Sequence, residues 1–385
     1  MAEPTLQKVL VVARFYAPMQ NTRAVQAERV VQALRESGLD VRVISDSSGG
    51  KLNRLIAEIG LYLNWVGLGW FGARKTGRTA LLEDWRPDVV LSMSVPFDSH
   101  LLGYDLARRL DVPWAAFLSD PWPIWTAPGP YSEPNEGLYR SLQYRCGERL
   151  LGQCDALLAP TLEQIQLQRG VYPALADTPG VETLHCASAK SSATEEVAAK
   201  GIFHIGQITT ERCSAALISG IKSMAASLES KKDVLTFVGS VADELKQALS
   251  EEVQLGIVTF LPPVSSERSQ ELMRSAKALL LIEADMDASP FLPSKITDYA
   301  AARRPIVIVS NDGSAVTRIT SGHAGVHCVS HDPKLIAEQL IAAFGQSGNS
   351  STELAAEFEP YKVTARYLEG LQFAVQHRFS SQFSR

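Results

Sequence analysis

The chain is written as two successive series of short, unbroken apolar runs, each separated from the next by a segment with helical spacing. In the first half the runs are KVLVVARFYAP, LDVRVISD, PDVVLSMS, VPWAAFLSDPW and CDALLAPT. Between them, RAVQAERVVQALRESG and HLLGYDLARRLD repeat apolar residues every three or four positions, and the first stops at Gly38. An apolar run without polar alternation is a strand buried on both faces. Such strands alternating with helices imply a parallel sheet covered by helices on either side. The expected fold class is therefore α/β, with a Rossmann-like parallel-sheet domain in this half.

The pattern then restarts. GIFHIGQIT, VLTFVGS, VTFLPPV, ALLLIEA, IVIV and GVHCVS read as strands; SAALISGIKSMAASLES, ADELKQALSEEV, ERSQELMRSA and PKLIAEQLIAAF read as helices. Small and polar residues from about 174 to 200 break the rhythm. The expected division is a first domain over 1–180, a linker over 181–200 and a second domain over 201–360. Residues 361–385, carrying YKVTARYLEGLQFAVQHRF, read as one long amphipathic helix packing back on the first domain. Two such domains place a ligand cleft at the carboxyl ends of their strands.

Composition narrows the class of function. A length of 385 residues exceeds what one hydrophobic core usually serves, and 45% apolar with 21% charged residues is ordinary for a globular protein. A net charge of -5 gives no support for nucleic-acid binding. The five cysteines (Cys146, Cys154, Cys186, Cys213, Cys328) are scattered, with no C-x-x-C pair, which argues against a disulfide framework or zinc site and fits a reducing cytosol. The start, MAEPT followed by KVLVVARFY, is too short an apolar run for a signal peptide, and no apolar run reaches membrane-spanning length. A cytoplasmic protein, at most touching a membrane from one side, is expected.

The stretch PFLPSKITDYAAARRPIVIV, residues 290–309, is the most informative for chemistry. Pro293 opens a helix and Ser294 is expected to cap it. Lys295 and Asp298 then share the first turn. A helix start with a cation beside it can hold an anion such as phosphate, whereas a surface ion pair between the two would contribute little.

Five segments in order make the chain resemble a group 1, family 4-like retaining glycosyltransferase of the GT-B fold. They are IFHIGQITTERCSAALISGI, LTFVGSV, VTFLPPVSSERSQELMRSAKALLLI, FLPSKITDYAAARRPIVIV and GSAVTRITSGHAGV. SVPFDSHLLGYDLARRLDVPWAAFLSDPW resembles the acceptor-side stretch of one bacterial subgroup. The resemblance implies two Rossmann-like domains facing a central cleft, with the donor bound by the second. This sequence departs from the family at several points. In the E-x7-E donor motif Asp298 matches the second member while Pro290 holds the first position, and Glu283 or Asp287 is a candidate replacement. Gln207 stands where an arginine is common, Arg212 where a lysine is. Asn21, Thr22 and Arg23 occupy the place of the N-terminal glycine pair.

What the resemblance implies can be set against physical chemistry. Transferring a sugar from a nucleotide donor requires stabilising a departing diphosphate, and cations on its oxygens act most strongly in the transition state. Arg212 and Lys295 are assigned to that task, helped by amides around Leu292, Pro293 and Ser294. Asp298 would accept from the ribose hydroxyls. Gly206 and Gly239, at strand ends, let backbone approach the ligand. The nucleobase, of UDP or GDP type, is expected near Leu261 to Val264. On the acceptor side His100 would hydrogen-bond a sugar hydroxyl, and Asp120, between strand and Trp122/Trp125, would bind or deprotonate the acceptor. Each of these also has a bland reading as a capped helix start, a turn or packing. No covalent nucleophile, no resident cofactor and no metal are expected.

LYLNWVGLGWFGARKTGR, residues 61–78, mixes aromatic and basic residues as a membrane-surface helix does, or as an interior helix followed by a solvated loop. The first reading implies peripheral contact with the inner face of the plasma membrane and a lipid-linked or glycan acceptor, in bacterial surface polysaccharide or glycolipid synthesis. The rivals are a nucleotide-sugar epimerase of the same architecture and a catalytically silent nucleotide-sugar-binding partner.

Overall fold

The computed structural model describes residues 6–19, 21–45, 78–132, 138–188, 200–228, 231–345 and 352–383. The aromatic and basic stretch 61–78 lies outside the described residues but for Arg78, the first residue of a short 3-10 turn, so its two readings stay open. The chain divides into two compact units.

The first unit comprises residues up to Ala127, then Ser132–Cys186 and the C-terminal segment from Glu359. Its strands are β1 (Lys8–Ala13), β2 (Asp40–Ile44), β3 (Val89–Met93), β4 (Trp114–Phe117), β5 (Ala156–Ala159) and β6 (Gly180–Glu182). Its helices are α1 (Thr22–Glu36), α2 (Asp98–Leu110), α3 (Leu138–Leu151) and α4 (Leu162–Val171). The six strands pair in the order β2-β1-β3-β4-β5-β6, all parallel.

Alternate residues of β1 serve two different cores, as a strand buried on both faces must. Val9, Val11 and Ala13 pack with Val30, Val31 and Leu34 of α1, while Leu10 and Val12 pack with Leu101 and Leu106 of α2. The linker expected over 181–200 is corrected at its start: Val181 is an interior residue of β6, paired with Leu158. Three residues are too short a run to announce a strand in sequence, and only pairing reveals it.

The second unit comprises Ala187–Phe358 together with Pro128–Tyr131, a four-residue piece that the expected 1–180 domain had included. It contains β7 (Lys200–Ile205), β8 (Leu235–Val238), β9 (Val258–Leu261), β10 (Ala276–Ile282), β11 (Ile306–Val309) and β12 (Val326–Val329). Its helices are α5 (Ala215–Ser227), α6 (Asp243–Ala248), α7 (Ser250–Gln254), α8 (Ser266–Arg274), α9 (Lys295–Ala302), α10 (Ala315–Thr320), α11 (Pro333–Gly345) and α12 (Thr352–Glu357). ADELKQALSEEV, read as one helix, is two, with Leu249 turning inward fully buried between them. The strand order β12-β11-β10-β7-β8-β9 reverses direction between β10 and β7. At such a switch point the chain leaves neighbouring strands in opposite directions, opening a crevice at their carboxyl ends.

The last helix, α13 (Pro360–Phe383), belongs to the first unit, where Val363, Tyr367, Leu371, Ala374 and Val375 join the core beside α1. Gly370 permits this approach, since a Cβ there would lie 2.9 Å from a Leu158 methyl. Leu371→Ala is expected to lower the unfolding free energy by about 2–5 kcal/mol through lost burial and a cavity. Phe373→Ala, at a 37% exposed site on the same helix, is expected to change it by about 0.5 kcal/mol or less. Urea denaturation of both variants measures the contrast.

Candidate active site

In the second unit, the carboxyl ends of β7 and β10 gather the charged residues. β7 ends at Ile205 and turns at Gly206, φ +130, beside Gly239, φ +133, which follows β8. A Cβ on Gly239 would lie 2.4 Å from the Gly206 carbonyl oxygen, and a Cβ on Gly206 would lie 2.8 Å from Lys295 Nζ. Gly239 is therefore required by close backbone approach as well as by φ, and Gly206 by φ, its near neighbour being the end of the Lys295 chain. A short turn, Thr210–Arg212, then leads into α5, whose start is capped by Ser214 Oγ accepting from the Leu217 amide at 3.1 Å.

Arg212 is directed inward. Its Nε donates to Tyr131 Oη at 3.1 Å, and its Nη2 lies 3.8 Å from Glu283 Oε1. Tyr131, from the four-residue piece, also sets its ring edge-on against Phe291 at 5.2 Å. Glu283, at the end of β10, is 1% exposed; its Oε2 accepts from Ser289 Oγ at 2.7 Å, and its Oε1 has no hydrogen bond among the described residues. Ser289 in turn accepts from the Phe291 amide at 3.3 Å, which ties down the loop leading to α9. Lys295 Nζ lies 3.1 Å from Nε2 of His204, a fully buried residue of β7.

Two cations thus share one buried carboxylate. Burial first, and Arg212 second, pull the Lys295 amine down to about 7, with Glu283 opposing. Burial pushes the Glu283 carboxyl above its usual range, against the pull of Arg212, Ser289 and Lys295. Burial is the first cause of the lowered lysine and Arg212 the second, so a negative group beside Nζ would favour its charged form.

Ser294 corrects one expectation. It has helical backbone angles and makes no side-chain cap to α9. The first-turn amides of α9 therefore have no serine oxygen to satisfy them. The Lys295 side chain reaches His204, which replaces the surface ion pair with Asp298 as its observed contact. Asp298 sits part-buried one turn into α9; Leu292 and Pro293 are buried just before it. Val264 lies part-buried in the loop after β9, the sheet edge two strands from β7, with Leu261 37% exposed. Asp287 is exposed, so Glu283 is the candidate carboxylate brought to the cations. His204 and Tyr131 were not singled out in sequence; a histidine inside the apolar run GIFHIG was the available signal for the first.

The first unit places its candidates differently. His100, in the first turn of α2, is 0% exposed. Trp114 Nε1 donates to Ser92 Oγ at 2.8 Å, and Ser92 Oγ lies 2.7 Å from His100 Nδ1. A hydroxyl oxygen accepts twice as well as donating, so this contact joins Nδ1 to Ser92 in either tautomer, and Nε2 has no hydrogen bond among the described residues. Burial drives the His100 pKa to about 3. Asp120 accepts from Arg23 Nη2 at 2.5 Å and Ser119 Oγ at 3.4 Å, so a role as base requires its release from a guanidinium. Arg23 stands on α1, whose start Asn21 caps by accepting from the Ala24 amide. Trp122 stacks on Phe97 with ring centres 4.1 Å apart, and Trp125 lies under the Arg140 guanidinium at 4.0 Å. Among the described residues, no group of three or more His, Cys, Asp or Glu is arranged to hold a metal ion, and no helix is long and apolar enough to cross a membrane.

Residues 23–174 match the family model described as "Glycosyl transferase 4-like domain". That domain covers β2 to β5 and contains both His100 and Asp120. No curated protein sequence matches the chain. Among solved structures, AviGT4, a glycosyltransferase involved in avilamycin A biosynthesis, superposes with a TM-score of 0.59 at 12% identity, covering 97% of this chain and 98% of that one. TarM of S. aureus, as a point mutant in complex with fondaparinux, alpha-GlcNAc-glycerol and UDP, gives 0.50 at 10% identity over 80% of this chain and 58% of its own. The UDP-GlcNAc 2-epimerase of Methanocaldococcus jannaschii gives 0.50 at 11% identity, over 95% and 100%. The two Rossmann-like units are thus those of the GT-B fold, which transferases and an epimerase share.

The depressed His100 pKa has a measurable consequence. The unfolded histidine takes up a proton near pH 6.5 and the folded one only near pH 3, so the unfolded state binds more protons between these values. Stability contributed by His100 is present above pH 6.5 and lost as pH falls towards 3. Urea denaturation from pH 7 to 4 is expected to show this acid loss, and His100→Gln a shallower one.

Proposed function

We propose that the protein is a retaining glycosyltransferase that takes a sugar from a nucleoside-diphosphate donor to a glycan or lipid-linked acceptor. The observation carrying this reading is the pair Arg212 and Lys295, held inward beside one carboxylate at the β7/β10 switch point. Arginine offers a forked donor and lysine a point charge, a combination suited to the oxygens of a diphosphate. In the reaction the bond from the anomeric carbon to the β-phosphate oxygen breaks. The electron pair stays on that oxygen, and both cations stabilise the charge as it develops. The acceptor hydroxyl adds to the anomeric carbon on the same face, and its proton passes to the departing phosphate. This reading assigns Glu283, whose Oε1 has no hydrogen bond among the described residues, to a donor-sugar hydroxyl in place of the glutamate that Pro290 replaces. It assigns Asp298 to the ribose, Val264 to the base, and amides near Leu292, Pro293 and Ser294 to the phosphates. In the first unit His100 is assigned to a sugar hydroxyl through Nε2 and Asp120 to the acceptor. A place in bacterial surface polysaccharide or glycolipid synthesis, with contact at the inner membrane face through residues 61–78, completes the proposal.

The test is a screen of UDP, GDP, ADP and dTDP and their sugars by thermal shift and calorimetry, since a ligand of the folded state raises its melting temperature. One nucleoside diphosphate is expected to bind, and Arg212→Ala or Lys295→Ala to weaken it roughly tenfold to a hundredfold, the worth of a charged hydrogen bond. Lys295 must be protonated to hold a dianion, so affinity is expected to be flat below pH 7 and to fall above it by up to about tenfold per pH unit. Sugar transfer to an acceptor extract with the donor's anomeric configuration kept supports the transferase. Epimerised donor formed without acceptor favours an epimerase instead, and no response to any nucleotide overturns the donor site.

A further inference from the structure

β7 has the burial of a core strand, with every residue after Lys200 enclosed, yet one of those residues is His204. A polar ring on a doubly buried strand is costly unless both nitrogens find partners. Nδ1 lies 2.9 Å from the Leu280 carbonyl oxygen of β10. A carbonyl only accepts, so Nδ1 carries the proton. Burial, then the charges of Lys295 and Arg212, keep the ring neutral by driving its pKa well below the ordinary value. With the proton on Nδ1, Nε2 is left with a lone pair; Lys295 Nζ lies 3.1 Å from it and as an ammonium donates, while the Gln207 backbone also acts on the ring.

We infer that His204 is the positioning residue for Lys295: a neutral imidazole, locked by the Leu280 carbonyl, that takes one ammonium proton and turns the other two towards the phosphate oxygens. The inference rests on the donor-site reading above. The charged groups acting on Nζ are Arg212 from the turn after β7 and Glu283 from the end of β10. Tyr299 of α9 is occupied by the backbone of β7, its Oη accepting from the Ile205 amide at 2.8 Å. Gly206 supplies the floor, since any Cβ there would meet Nζ. Lysine alone is a flexible point charge on four methylenes; the ring acceptor fixes where that charge stands.

Full-length wild type, His204→Phe, His204→Gln and Lys295→Ala are compared by two readouts. One is the pH profile of acylation at Lys295, followed by mass spectrometry, which needs no ligand. The other is affinity for the nucleoside diphosphate that the screen identifies, set against the same nucleoside without phosphates. Lys295→Ala gives the floor for both. His204→Phe is expected to move the acylation midpoint down by about one pH unit, because the ammonium loses an acceptor. It is also expected to weaken the diphosphate about tenfold and leave the nucleoside unchanged. His204→Gln, whose side-chain carbonyl can reach the same place, is expected to recover most of both. An unchanged acylation midpoint in folded His204→Phe overturns the inference. If that variant does not fold, nitrogen-15 spectra of the wild-type histidines decide: a proton on Nδ1 supports the assignment, and one on Nε2 overturns it. Failure of the wild type to bind any nucleoside diphosphate removes the donor reading, and the acylation and tautomer results then judge the histidine separately.

Discussion

The arrangement at the second sheet depends on holding two cationic side chains out of water over a single carboxylate. Removing a charge from water is expensive, and attraction to one partner does not offset two such removals. The protein reduces the cost with neutral groups: the Tyr131 hydroxyl takes one Arg212 hydrogen, and the His204 ring lies 3.1 Å from Lys295 Nζ.

Several features of the unit follow from this requirement. Gly206 leaves the space in which the lysine amine lies, Gly239 lets the Gly206 backbone come close, and each adopts a φ that other residues avoid. The loop after β10 is tied by Ser289 to both Glu283 and the Phe291 amide, so the carboxylate is fixed in place. The strand reversal between β7 and β10 supplies the opening. The first unit is organised on an opposite principle. There Trp114, Ser92 and His100 form a chain of neutral donors and acceptors, and the one carboxylate of interest, Asp120, already has its guanidinium from Arg23.

Much of the fold was legible in the apolar runs, because a strand buried on both faces tolerates little but apolar side chains. β1, β3, β5, β7, β8, β10 and β11 all fall on such runs. The short edge strand β6 escaped, since Gly180–Glu182 is defined by its pairing to β5 and not by composition. The split at Leu249 escaped too, because helical spacing continues smoothly across it. At the site, Lys295 was singled out from residue type and its place at a helix start, and Arg212 from the family resemblance. Ser294 could not be tested that way: serine is a good cap only where its backbone is extended, and here it is helical.

What the chain's residues determined unaided was the α/β class, the two successive units and the identity of the cations, since these depend on local pattern and on which groups carry charge. Tertiary structure alone decided which neighbours those cations have. Tyr131 lies far from Arg212 in sequence and yet accepts from it, and His204 and Lys295 are brought together by neighbouring parallel strands and the helix that follows. Their meeting depends on sheet order and on the tautomer that a carbonyl of the next strand imposes. Neither is written in any contiguous stretch of the sequence.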